Sequence, residues 1–161
     1  MAAVADVRRR VLMISGAIDV TEHDVSACIN LPEPGRWQII KSETNLTDQT
    51  WVAMQVTLDE DSHFINDADT MILSRQFSKT FMTPDLRRLT FYEGEVRPGE
   101  AVLKVFSIEC SGRRPAYAHA RYSPIATDSP EKSAETLEEL IAHGMPQREV
   151  LEVIVPVTVI G

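Results

Sequence analysis

Three groups of residues in this chain have side chains that could do chemistry. The densest is Tyr117-Ala118-His119-Ala120-Arg121-Tyr122, preceded by the basic loop Ser111-Gly112-Arg113-Arg114-Pro115. A histidine there could act as a general base, and arginine forks suit carboxylates and phosphates. No serine or cysteine nucleophile with a third member stands near it in sequence, so a histidine that fixes its loop through hydrogen bonds is preferred. The second group is Asp59-Glu60-Asp61-Ser62-His63, with Asp67 and Asp69 behind it. These carboxylates could hold a metal or form an acid–base pair. They lack the calcium-loop spacing and its turn glycine, and no second histidine converges on them. A solvated acidic loop is the reading adopted. The third group is the cysteine pair Cys28 and Cys110, whose separation fits no metal motif. No cofactor and no metal site is expected.

The elements that position these groups read mainly as strands. Val11-Leu12-Met13-Ile14 begins one, and Trp37 to Lys41 another. Thr50 to Leu58 carries Val52, Met54, Val56 and Leu58 at alternate positions, which predicts one buried face. Leu89 to Tyr92 begins a further strand. It runs through the turn Arg97-Pro98-Gly99-Glu100 into Ala101 to Glu109, a hairpin-like unit whose far end presents His119. Ala101 to Glu109 is apolar on both faces, as in a strand covered on both sides. Asp19 to Asn30 is ambiguous; Thr21 could cap a short helix holding Val25, Cys28 and Ile29. Met71 to Lys79 could be helix or strand.

Ser129 and Pro130 open the best helix signal, with Ala134, Leu137, Leu140 and Ile141 on one face and Gly144 and Pro146 as the stop. Its Glu131, Glu135, Glu138 and Glu139 make an acidic face. The chain then runs from Val150 to Ile160 almost wholly in apolar or β-branched residues, broken by Pro156. Such a stretch must lie in the core or pair with another chain, and the proline confines it to an edge or a bulge. The expected fold is α+β, one domain over residues 1–161, mostly antiparallel sheet with one clear C-terminal helix.

The order of residues around His119 resembles a family. The α-like assembly subunit of multisubunit DNA-dependent RNA polymerases has an inserted second domain with a pattern close to L-R-K-G-Q-E-I-x-L-x-A, then G-x-G-x-x-H-A-K-W-x-P-V-A. Val96-Arg97-Pro98-Gly99-Glu100 is similar to the first turn. His119-Ala120-Arg121-Tyr122-Ser123-Pro124-Ile125-Ala126 is similar to the second motif, with Arg for Lys, Tyr for Trp and Ile for Val. Residues 50–127 resemble that domain. The resemblance implies a non-catalytic assembly or scaffold subunit. Its partner-docking residues would be Gly112, Arg113, Arg114, His119, Arg121 and Tyr122, and its partners large protein subunits. It also implies a reduced relative, because little precedes Val7-Arg8-Arg9-Arg10-Val11-Leu12 that could form the family's dimerisation strand and helix.

Composition sets the remaining bounds. The 161 residues carry a net charge of −8. That excludes a free-standing nucleic-acid binder with a broad basic face, though not a subunit that meets nucleic acid only indirectly through a complex. No apolar run is long enough to span a membrane. Arg8-Arg9-Arg10 reads as part of a solvated N-terminal arm. Sparse cysteine usage suits an intracellular protein; nucleus and cytoplasm are not distinguished, and a virion is also open. The second expectation is therefore a structural subunit of a virus particle or other large assembly, associating through the C-terminal β-strand.

Overall fold

The computed structural model describes residues 1–21, 23–111, 117–122 and 149–161, with residues 117–122 described by their backbone alone. These residues form thirteen strands: β1 (Ala2–Asp6), β2 (Val11–Ile18), β3 (Asp24–Cys28), β4 (Gly35–Asn45), β5 (Trp51–Leu58), β6 (Ser62–Phe64), β7 (Leu73–Ser74), β8 (Phe77–Met82), β9 (Arg88–Val96), β10 (Ala101–Cys110), β11 (Tyr117–Tyr122), β12 (Val150–Ile154) and β13 (Val157–Ile160). One sheet runs β13-β1-β2-β4-β10-β6, with β7 also on β10; the other runs β12-β3-β11-β5-β9-β8. A single apolar cluster draws on both sheets, from Leu12, Ile39 and Phe106 on the first to Met54, Val56 and Phe91 on the second. The molecule is a β-sandwich, with its core between two facing sheets.

The fold corrects the α+β expectation. No helix occurs among the described residues, and the architecture is all-β. The helix expected over Ser129 to Gly144 lies outside the described residues. The short helix considered around Val25 and Cys28 is instead β3, which puts Val25 and Ala27 into the core and turns Cys28 away from it. Met71 to Lys79 resolves into β7 and the start of β8. The arginine-bearing N-terminus is no loose arm: β1 pairs with β2 and β13, and Arg8 to Arg10 form the turn between β1 and β2.

β4 runs well past the expected Trp37 to Lys41. Its inner positions are Trp37, Ile39, Lys41, Glu43 and Asn45, all buried. The strand continues in regular alternation, but its last three inward residues are polar, so the hydrophobic pattern fades halfway along. Asn45 ends it. Its amide donates to the carbonyls of Gln49 (2.8 Å) and Val96 (3.0 Å), and its oxygen accepts from the backbone N–H and hydroxyl of Thr47. One side chain thus fixes the β4–β5 connection and ties it to the end of β9 in the opposite sheet.

β5 places Met54, Val56 and Leu58 in the core as its alternation predicts, but Trp51 is buried there and Val52 is not. The cause is a bulge. Trp51 faces Val96 and Ala53 faces Tyr92, so Glu93, Gly94 and Glu95 are accommodated on β9 against a single residue of β5. Glu93 adopts a φ of 61°. A Cβ on Gly94 would stand 1.9 Å from the Gln76 carbonyl oxygen, so only glycine fits. The irregularity inverts the inward–outward order and brings the Trp51 ring into the core.

The expected hairpin is not one. Residues 97–100 do form a tight turn: the Glu100 N–H donates to the Arg97 carbonyl at 3.0 Å, and Gly99 takes a φ of 88° after Pro98. The turn joins β9 in one sheet to β10 in the other. β10 pairs with β4, β6 and β7, whereas β11 pairs with β3 and β5. The chain crosses the sandwich at each step where a hairpin-like unit was expected, because β10 is apolar on both faces and takes a central place. Both of its edges are paired, the second by β6 and β7 in turn.

Candidate interaction surface

β11 carries the residues the motif singles out. His119 lies in register between Ser26 of β3 and Thr57 of β5, Arg121 lies opposite Gln55, and Tyr122 lies opposite Met54. Glu152 of β12 extends the His119 row beyond Ser26, and Arg88 of β9 extends it beyond Thr57. Glu152, Ser26, His119, Thr57 and Arg88 therefore share one rung across five strands. Ser26 and Gln55, the immediate neighbours of His119 and Arg121, are buried. Gln55 donates to the Thr90 hydroxyl at 2.9 Å along the next rung. The sequence separates these residues by up to 126 positions, and only strand order brings them to one row. Gly112, Arg113 and Arg114 lie outside the described residues.

The acidic loop is occupied with its own geometry. The Asp59 carboxylate accepts from the Asp61 N–H at 3.2 Å. Asp67 accepts from the Thr70 hydroxyl and from both terminal nitrogens of Arg36, at 3.1 and 3.4 Å. The Thr70 hydroxyl and then the Arg36 guanidinium hold the Asp67 carboxyl below its ordinary range. Of the three arginines at the β1–β2 turn, Arg10 is fully engaged. It donates to Glu33 at 2.6 Å and to the carbonyls of Pro34 and Arg36, and lies 4.7 Å over the Trp37 ring.

The most unusual interior feature has no sequence motif. Lys41, Glu43 and Lys104 project from β4 and β10 into the sandwich, with Lys41 directly opposite Lys104 and Glu43 one position further along its face. Their relative exposures are 1%, 0% and 0%. Glu43 Oε1 stands 2.8 Å from Lys104 Nζ and 3.8 Å from Lys41 Nζ. Burial pulls the Glu43 carboxyl upward, but Lys104 and then Lys41 more than offset it and leave it below its ordinary value. Burial lowers Lys104 to about 8, against the opposing pull of Glu43. Beside Lys41, Leu12, Ile14, Ile29, Leu31, Ile39, Phe106 and Ile108 leave a void of about 10 Å³, room for about one water. The cluster is one carboxylate set between two ammonium groups inside the sandwich, rather than an open ligand pocket.

At the margin the arrangement is reversed. β12 ends one sheet and β13 ends the other, and both belong to the last segment of the chain. Val155 is the crossing point. It is buried and its N–H donates to the Cys28 carbonyl at 3.0 Å, while the Pro156 carbonyl accepts from the Ala3 N–H at 3.0 Å. Pro156 thus separates two edge strands, as its missing N–H demands. Ten large apolar side chains are exposed among the described residues, and five of them are Val150, Leu151, Ile154, Val159 and Ile160. Ile154 is 82% exposed and Val159 55%.

Comparison with known proteins places the whole chain. Residues 1–161 match a family of unknown function, DUF6423. The chain belongs to that family. No curated protein and no solved structure matches it. The functional reading of this DUF6423 chain therefore rests on its own surface. Among the described residues, no helix is long and apolar enough to cross a membrane.

Proposed function

We propose that this chain is a non-catalytic assembly module that joins a larger protein structure by strand addition at its C-terminal margin. The observation that carries the reading is that, among the described residues, five of the ten exposed large apolar side chains lie in the last twelve residues, on two edge strands. An edge strand presents unpaired N–H and C=O groups, and monomeric proteins protect such edges with charge, brevity or a covering element. β13 has no charged residue, and β12 has only Glu152. A partner strand that completed the ladder would bury these side chains, the geometry of recognition by sheet extension. In this role the chain supplies no reacting group.

The polymerase assembly subunit is a second reading, in which the docking residues are those around His119 rather than the C-terminal margin. Its support is the motif at residues 96–100 and 119–126, and its distinguishing sign is co-purification with very large catalytic chains.

The test is affinity purification of the full chain in mild salt, beside a Val159→Lys/Ile160→Lys variant, with mass spectrometry of what is retained. A stoichiometric partner lost in the variant, with the thermal midpoint unchanged, is the expected result. Retention of the same partner by both proteins, or no partner with either, overturns the proposal.

A further inference from the structure

We infer that the strand which completes β13 is β13 of a second copy of this chain, antiparallel across a two-fold axis at Thr158; this rests on the assembly reading above and names its partner. β13 pairs with β1 in parallel, and the carbonyls of Pro156 and Ile160 point to β1, accepting from the N–H groups of Ala3 and Val7 at 3.0 Å each. Backbone groups alternate in direction along a strand, so Val157 and Val159 direct their N–H and C=O groups outward. Two outward residues separated by one form a self-complementary unit. In an antiparallel pair Val157 of one copy exchanges both hydrogen bonds with Val159 of the other, and the reverse.

The pleat restricts the register. Residues opposite each other in a continuous sheet share a face, so the axis must pass through a residue rather than between two. Val157 and Val159 lie on the inner face with Ala3 and Ala5, and Thr158 on the outer face. An axis at Thr158 sets valine against valine on the inner face and threonine against threonine on the outer. Both are favourable cross-strand pairs.

Charge selects this edge over the other three. The chain carries −8, so self-pairing is opposed wherever like charges meet. β13 brings none together. β12 paired with itself about its centre would set Glu152 against Glu152. β8 carries Lys79, bound to Glu93 at 2.8 Å, and β6 is three residues long. The product is a continuous fourteen-stranded sheet, formed of two seven-stranded halves.

The experiment uses the full chain. Light scattering on a sizing column should give twice 18.0 kDa, falling to one chain on dilution. The two Thr158 residues form a non-hydrogen-bonded pair with Cα atoms about 4.5 Å apart, within disulfide range. A Thr158→Cys variant should therefore cross-link quantitatively on mild oxidation. The wild type, whose Cys28 is half-buried and Cys110 buried, is the control and should not. Val159→Lys should weaken association roughly tenfold or more with no change in the circular dichroism of the monomer. A wild-type monomer at every concentration overturns the self-pairing, as does a dimer that survives Val159→Lys and fails to cross-link at 158. If self-pairing fails while a different chain is still captured in an edge-dependent way, the assembly reading stands without it. If neither is seen, both fall.

Discussion

The middle of the seven-stranded sheet and its margin depart from the usual distribution of side chains in opposite directions. In the middle, three ions lie in the core, and every one is opposed within the chain: Glu43 faces Lys104 at 2.8 Å and Lys41 at 3.8 Å. At the margin, apolar residues reach into water: Val159 is 55% and Ile160 46% exposed. The interior anomaly is closed and the marginal one is open. A buried ion cluster is therefore no sign of a partner, because the fold itself supplies the counter-charges. An uncharged edge strand is where the proposed partner would add, because its outward N–H and C=O groups are a ready template for another strand. The far edges of the two sheets sharpen the point: β6, across the seven-stranded sheet, is very short, and β8, at the end of the six-stranded one, is guarded by the Lys79–Glu93 pair.

The contrast can be broken most forcefully from the inside. Glu43→Gln removes the carboxylate that stands between two buried ammonium groups, and should cost about 3–5 kcal/mol of stability, read as a fall in the denaturant midpoint. An unchanged midpoint would show that the cluster is not ionised in the core.

The pH dependence comes next. Lys104 titrates near 8 in the folded chain, below its ordinary 10.5. The unfolded chain therefore binds more protons between those values, and stability should rise as pH climbs from about 8 toward 10.5, by roughly 3 kcal/mol at most. Glu43 acts in the other window. Its carboxyl is held below the ordinary value, so its contribution is complete above about 4.5 and lost as pH falls through its folded value. The alkaline rise should vanish in Lys104→Met.

Replacing the whole cluster tests whether compensation, rather than charge, is what matters. Lys41→Met/Glu43→Met/Lys104→Met removes all three ions and their desolvation together. It should be as stable as the wild type or about 1–4 kcal/mol more so, and should still associate through β13. Loss of association would couple the two regions.

The smallest effects on folding belong to the margin. Val159→Lys should move stability by less than about 0.5 kcal/mol while weakening self-association roughly tenfold or more on a sizing column. Lys79→Val, which strips the guard from β8, should add a new and weak association at that edge, seen as concentration-dependent broadening. A silent Lys79→Val would mean that the lysine is not what protects β8.

The strands at Val11, Trp37, Thr50 and Leu89 could be read from local alternation, as could the break at Pro156 and the extended, edge-bound character of the C-terminal stretch. Each depends on residues close in sequence: a period of two, or a proline that cannot donate. The α+β class could not be corrected locally, because short apolar runs such as Asp19 to Asn30 fit a helix face and a buried strand equally well until a neighbouring strand binds them. The turn at Arg97 to Glu100 was visible, but a turn does not say whether its two strands pair with each other or part into opposite sheets. That choice belongs to β10, whose apolar residues on both faces claim the centre of the other sheet. The ion cluster was hidden for a related reason. Nothing local marks Lys41, Glu43 and Lys104 as buried, because charge is normally solvated, and only the pairing of β4 with β10 brings their opposite charges together inside the sandwich. Chain chemistry over a few residues set where the backbone extends and where it stops; strand order across the sandwich decided which side chains meet, and which edge was left without a neighbour.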